Sequence, residues 1–257
     1  MAGLAVLSTG LAGLALSAPA AASTTGAAAT SVPSVSGAAA SAAPSSAASW
    51  SAVAGRAAAV PSAAVVAVAQ PRLHSGSRGA AVTRLQRRLR ALHYDVGTVD
   101  GVFGSETLHA VYAFQKVQGL GIDGVVGPAT WRKLAAPKVP RPRHRLRSAA
   151  VEVNLSLRVV YLTRNGRVTR IVDASPGKRS TPTVRGSFRF SRRIDGWRRS
   201  RLGLLWRPYY FRGGYAVHGS RSVPTYAASH GCVRVTMAAM NRLWSTFTIG
   251  ERVYVYR

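Results

Sequence analysis

Ser229-His230-Gly231-Cys232-Val233-Arg234, with His218-Gly219-Ser220 a short way upstream, is the stretch on which this chain turns. Cys232 is the only cysteine in 257 residues, so no intramolecular disulfide forms. A thiol becomes a nucleophile when a nearby base or positive charge favours the thiolate, and two histidines stand close to it in sequence. Glycines beside His218 and Cys232 let a substrate backbone approach closely. Cysteine acyl transfer is the chemistry this pattern suits best.

Other roles are open to the same residues. A lone cysteine is often inert core. The small residues Ser229 and Gly231 argue for a tight turn at Cys232 rather than an apolar strand. His218, His230 and Cys232 could be three metal ligands, yet the carboxylates of this half, Glu152, Asp173, Asp195 and Glu251, stand far from the motif. A glycosidase needs two carboxylates flanking the bond, and no such pair stands out.

Working outward, Val151, Val153, Leu155, Leu157, Val159 and Tyr161 alternate with the period of one half-buried strand. Asn165-Gly166 favours a tight hairpin, with Val168 to Val172 as the return strand. Ser175-Pro176-Gly177 and Thr181-Pro182-Thr183 read as turns, and Gly186 to Phe190 as a short strand. Tyr209 to Val217 reads as a strand leading into His218. Thr236 to Phe247 carries Met237, Met240, Leu243, Trp244 and Phe247 at helical spacing, and Arg252 to Tyr256 suits a closing strand. Tyr209, Tyr210 and Trp206 are expected in the core rather than lining a cleft.

Residues 71–136 form a second patterned unit. Ala80 to Leu92 puts Val82, Leu85, Leu89 and Leu92 on one helical face. Ser105 suits the N-cap of a second helix with Ala110, Val111 and Phe114 inward, and Pro128 the first turn of a third with Trp131 and Leu134. Asp100-Gly101-Val102-Phe103-Gly104 and Asp123-Gly124-Val125-Val126-Gly127 repeat one turn theme before the second and third helices. Phe103 and Trp131 are expected in the core. Residues 137–148 are rich in Pro and Arg and read as a semi-extended linker.

Residues 1–22 are an apolar run in which Ala18-Pro19-Ala20 and Ala20-Ala21-Ala22 match a signal-peptidase pattern, although no basic start precedes it. The run is too short and too rich in small residues for a membrane span. Residues 23–70 are an Ala/Ser/Pro/Val tract too poor in large apolar groups to offset ordering entropy; they read as a tether, with Trp50 unassigned. Up to residue 70 the one charged residue is Arg56. The net charge of +27 fits a polyanionic partner, but little aromatic residue is interleaved and no nucleic-acid motif is present, so nucleic acid is not expected.

The ordered set of motifs from Leu73 to Leu134 resembles a bacterial peptidoglycan-binding domain of the three-helix type. That resemblance implies docking on glycan strands and stem peptides without catalysis. Thr181 to Phe188, His218-Gly219-Ser220 and Ser229 to Arg234 together resemble the L,D-transpeptidase catalytic domain (YkuD-type) over about 149–257. The His218-to-Ser229 interval sits at the short end for that family, which bears on the size of the intervening loop. The implied fold is multidomain: a small three-helix peptidoglycan-binding domain, then a mainly β, β-sandwich-like α+β catalytic domain.

The resemblance implies Cys232 as nucleophile and His218 as general base, its ring oriented by a carbonyl near Gly219 or Ser220. His230 is implied as the supporting histidine behind the cysteine, with exchanged roles for the two histidines left open. Gly231 and Cys232 N–H groups are expected oxyanion donors, Ser229 a support for the turn, and Gly219 and Ser220 substrate neighbours. Arg234 has two open roles, a partner for the substrate carboxylate or a structural ion pair. The implied reaction forms 3→3 cross-links between stem peptides through a cysteine thioester. Trimming of stems by water, as an L,D-carboxypeptidase, and a catalytically silent wall-binding protein are the alternatives. No cofactor is implied. Carbapenem-type β-lactams are the implied covalent inhibitors, and an exported, wall-associated location follows.

Overall fold

The computed structural model describes residues 70–257. The expected signal peptide, almost all of the tether and Trp50 lie outside those residues.

Three helices come first: α1 (Ala80–Ala91), α2 (Ser105–Gln118) and α3 (Pro128–Ala135). Val82, Leu85 and Leu89 of α1 are buried against Ala110, Val111 and Phe114 of α2, as their spacing requires. Pro128 opens α3. The expected Ser105 cap is one residue out: Gly104, in an extended conformation, is the N-cap, and Ser105 is the first helical residue. Phe103 is fully buried, whereas Trp131 is half-buried, its indole donating to Pro71 O at 2.8 Å.

Two buried glutamines explain the repeated Asp-Gly theme. Gln86 Oε1 accepts from the Asp100 and Gly101 N–H groups, while Nε2 donates to Asp100 Oδ1, Val102 O and Thr107 Oγ1. Gln115 repeats this, accepting from Gly124 N and donating to Asp123 Oδ1 and Val125 O. Gly101 and Gly124 have φ of 74° and 72°, which glycine adopts without a Cβ clash. Each turn is thus tied to the helix that precedes it, because a buried amide must find partners.

Ten strands and a fourth helix follow. One five-stranded sheet runs in the order β3 (Arg167–Asp173), β2 (Val159–Arg164), β1 (Ala150–Asn154), β10 (Arg252–Tyr256), β4 (Gly186–Arg189). The second runs β5 (Arg192–Arg193), β7 (Gly203–Arg212), β8 (Tyr215–Ser220), β9 (Val233–Thr236), with β6 (Trp197–Ser200) also on β7. The β1–β10 and β8–β9 pairs are parallel and the others antiparallel, so both sheets are mixed. Helix α4 (Met237–Trp244) is capped by Thr236, whose Oγ1 accepts from Ala239 N at 3.1 Å, and packs on β7, β8 and β9. None of the described helices is long and apolar enough to cross a membrane.

Two strand expectations are corrected. The alternating run from Val151 to Tyr161 is a hairpin, not one strand. Asn154 Oδ1 accepts from Leu157 N at 2.9 Å, Arg158 takes a φ of 55°, and Asn154 then faces Val159 across β1 and β2. Alternation alone cannot register a turn that keeps the apolar phase. Tyr209 to Val217 likewise turns at Gly213-Gly214, so His218 lies in the middle of β8.

Both faces of β2 are covered. Val160 and Leu162 point into the core between the sheets with Val217, Val233 and Met240. Val159 and Tyr161, with Val168 and Ile171 of β3, point into the helical core beside Phe114 and Tyr94. Each such side chain contributes about 1.5–3 kcal/mol on burial. Backbone bonds extend the seam, since Ile171 N donates to His93 O and Asp95 N to Ile171 O. The linker is also held, because the buried Glu152 carboxylate accepts from the Arg143 and His144 N–H groups and from Tyr256 OH.

Candidate active site

His218, at the centre of β8, is paired in register with Arg234 of β9. The parallel β8–β9 pair sets the turn at 229–232 immediately before β9. Gly231 makes that turn possible: its φ is 116°, and a Cβ there would stand 2.8 Å from Tyr215 Cε1. Ser229 Oγ accepts from Gly231 N at 3.0 Å and donates to Cys232 O, so the hydroxyl holds the turn.

Cys232 and His218 line one cleft of about 740 Å³ together with Ser220, Ser229, His230 and Arg234. Cys232 Sγ donates to Gly214 O at 3.5 Å, on the turn between β7 and β8. Burial pushes its pKa up, opposed by a backbone hydrogen bond at Ala216 and by the Arg234 charge. His218 is buried, and its Nδ1 donates to Gly219 O at 2.9 Å. A carbonyl only accepts, so Nδ1 carries the proton and Nε2 is the basic nitrogen. Desolvation pushes the imidazole pKa down to about 4, with Arg234 adding to the effect and the Gly219 bond opposing it. Burial thus favours the neutral thiol and the neutral imidazole, so the thiol proton must pass to the base as the nucleophile attacks.

Several expected roles change in three dimensions. His230 is exposed at the cleft rather than packed behind the cysteine. The Gly231 N–H is engaged by Ser229 Oγ, so an oxyanion would have to displace that hydroxyl to use it. Gly219 faces inward: a Cβ there would lie 2.8 Å from Trp206 Cδ1 and 3.1 Å from Met240 Cβ. Its contribution is the carbonyl that orients His218. Ser220 Oγ ties the following turn to Ser222 and reaches the cleft. Arg234 makes no ion pair with any described residue, which removes the structural alternative. Tyr209 is fully buried; Tyr210, also buried, borders the cleft.

Among the cleft residues that sequence reading missed are three arginines, Arg192, Arg198 and Arg201. The last two sit on the β6–β7 hairpin, whose tip closes where Ser200 faces Gly203. No acidic side chain lines the cleft. The dense arginines from 192 to 201 around an exposed Leu202 were the available signal. Among the described residues, no group of His, Cys, Asp or Glu is spaced to hold a metal ion.

Comparison with known proteins places this geometry. The family model for a putative peptidoglycan binding domain matches residues 78–134, and that for an L,D-transpeptidase catalytic domain matches 148–255. A crystal structure of the L,D-transpeptidase from Xylanimonas cellulosilytica superposes with a TM-score of 0.68 at 47% identity, covering 72% of this chain and 97% of that one. An uncharacterised protein of Kitasatospora aureofaciens is 46% identical over 69 residues, 26% of this chain and 58% of its own length. A probable N-acetylmuramoyl-L-alanine amidase of Bacillus licheniformis is 44% identical over 63 residues, 22% of this chain. The chain spans 58% and 18% of those two curated relatives. With a helical peptidoglycan-binding domain ahead of a mixed-sheet catalytic domain, the chain belongs to the L,D-transpeptidase family.

Proposed function

We propose that this protein is a cell-wall acyltransferase that joins stem peptides through a thioester on Cys232. The observation that carries this reading is the shared cleft, in which Cys232 faces the same space as a buried His218 whose Nε2 is free to take a proton. His218 removes the thiol proton as Sγ bonds to the carbonyl carbon of the third, diamino acid residue of a tetrapeptide stem. The carbon–nitrogen bond to the terminal D-alanine breaks, and His218 returns the proton to the leaving amine. The side-chain amine of a second stem then attacks the thioester, forms the 3→3 amide and restores the thiol. Water as acceptor would give trimming instead.

Arg234, with no ion-pair partner among the described residues, suits the terminal carboxylate of the donor. The arginines at 192, 198 and 201 extend that cationic surface toward the other carboxylates of a stem peptide. Residues 71–136 would dock the enzyme on glycan strands and stems outside the cytoplasm. A carbapenem-type β-lactam, whose strained four-membered ring is also an acyl donor, should acylate the same thiol.

Intact-protein mass spectrometry with a soluble tetrapeptide muropeptide tests this. Wild type should gain an acyl adduct and release D-alanine, and Cys232→Ala should do neither. An adduct or D-alanine release in Cys232→Ala refutes the nucleophile assignment, while no chemistry in wild type favours the wall-binding protein. Product analysis then separates cross-linking from trimming.

A further inference from the structure

Asp173 ends β3 where the two domains meet, and is buried. Both its carboxylate oxygens turn to α2. Oδ1 accepts from Lys116 Nζ at 2.6 Å and Oδ2 from His109 Nδ1 at 2.7 Å. The Lys116 side chain is 0% exposed, a state lysine rarely reaches unless paired. Its ammonium also donates to Arg158 O at 3.3 Å and Ala174 O at 3.1 Å, so all three protons are used.

The chain just beyond Ala174 is what the catalytic loop rests on. Ser175 and Arg234 exchange two backbone hydrogen bonds, at 2.9 and 3.0 Å. Ser175 Oγ donates to Tyr226 O at 2.6 Å. Pro176 O accepts from the Ala228 and Ser229 N–H groups. Lys178 N and Thr181 Oγ1 both donate to Ser229 O. Residues 175–181 therefore brace 226–234, the loop that carries Ser229, His230 and Cys232 together with the start of β9 at Arg234. Lys116 fastens the near end of that brace to a helix of the peptidoglycan-binding domain.

We propose that Lys116 and Asp173 are positioning residues of the transferase, holding the brace against which Cys232 and Arg234 are aligned. The peptidoglycan-binding domain is then part of the catalytic architecture as well as a wall anchor. This rests on Cys232 being the nucleophile. It requires that turnover of a small soluble substrate, which needs no wall docking, depend on α2.

The test uses the full chain and a soluble disaccharide-tetrapeptide. Lys116→Met keeps the side-chain stem and removes the ammonium; Lys116→Arg keeps a cationic donor. Gln118→Ala is the control, because Gln118 exchanges bonds of 2.9 and 2.8 Å with Lys138 of the linker, away from the brace. Lys116→Met should lower kcat on the order of 10- to 100-fold, the size of effect small misplacements of reacting groups produce. KM should stay within about twofold, since no substrate contact is removed. Gln118→Ala should match wild type, and Lys116→Arg should recover part of the loss. Hydrogen exchange should quicken at the Ser175, Ser229 and Arg234 amides while β1 and β10 keep their protection. Wild-type kcat in Lys116→Met, or equal losses in Lys116→Met and Gln118→Ala, overturns the proposal. If Lys116→Met does not fold, Asp173→Asn is judged by the same criteria. Turnover by Cys232→Ala, assayed alongside, would instead sink the nucleophile assignment.

Discussion

Lowering the pH perturbs one group at the centre of the site in a predictable way. Burial holds the His218 pKa near 4 against an ordinary 6.5, which corresponds to about 3 kcal/mol against the imidazolium. The neutral ring is the form that can accept the Cys232 proton, so acyl-enzyme formation should stay level through neutral pH and fall only on approach to pH 4. The assay is the rate of adduct formation by quenched-flow mass spectrometry from about pH 3.5 to 8, with a donor whose own groups do not titrate there. An acid limb centred near 6.5 would show that His218 titrates as it does in water, and would refute the buried-base argument. Stability supplies a second readout. Because the folded-state pKa lies below the unfolded one, the unfolded chain binds more protons between the two values. The contribution of neutral His218 is complete above about 6.5 and is lost as the pH falls toward 4. Denaturant unfolding should show a steeper loss across that window in wild type than in His218→Gln, with about 3 kcal/mol as the upper bound on the difference.

Gly219→Ala should lower stability by about 1–3 kcal/mol, because the new methyl overpacks against Trp206 and Met240. Thermal melting reads this, and acylation should slow as well, since the Gly219 carbonyl orients His218; an unchanged melt would contradict the packing. Gln86→Leu should weaken the helical domain by about 1–3 kcal/mol, chiefly for the buried Gly101 N–H left unpaired. Hydrogen exchange in α1 and α2 measures this, and wild-type protection would contradict it. Arg198→Gln with Arg201→Gln should raise KM for a carboxylate-bearing stem roughly twofold to fivefold, the scale of exposed charge pairs. Much of the salt dependence of wild type should vanish with it; a KM unchanged at low salt would remove these arginines from recognition.

The candidate site was legible as a cluster of residues. The pattern around Cys232 singled out His218, Ser229 and Cys232, the family resemblance supplied their expected roles, and the fold brings the three to one cleft. Helices α1, α2 and α3 followed from apolar spacing, and the Asn165-Gly166 hairpin from its need for positive φ, met here at 52° and 67°. The hairpin at 155–158 was not legible, since an even-length turn preserves the alternation on both sides of it.

Other features belong to the fold alone. Sequence could say that a thiol and an imidazole were near each other along the chain, but their charge state depends on desolvation, and desolvation depends on what packs around β8 and β9. His230 shows the same limit: two positions from the cysteine, it is exposed at the cleft, with Gly231 at a φ of 116° between them. Gly219 had the look of a residue that admits substrate, and is instead the space into which Trp206 and Met240 fit. Most of all, the 71–136 region read as a separate unit on a linker. Only the tertiary structure could show that β2 and β3 present a second apolar face, that Phe114 and Tyr94 cover it, and that Lys116 is buried on Asp173 next to the segment hydrogen-bonded to 226–234. Residue type determines which reactions a chain can perform; burial, which is a property of distant segments meeting, decides which protonation states and which contacts are present to perform them.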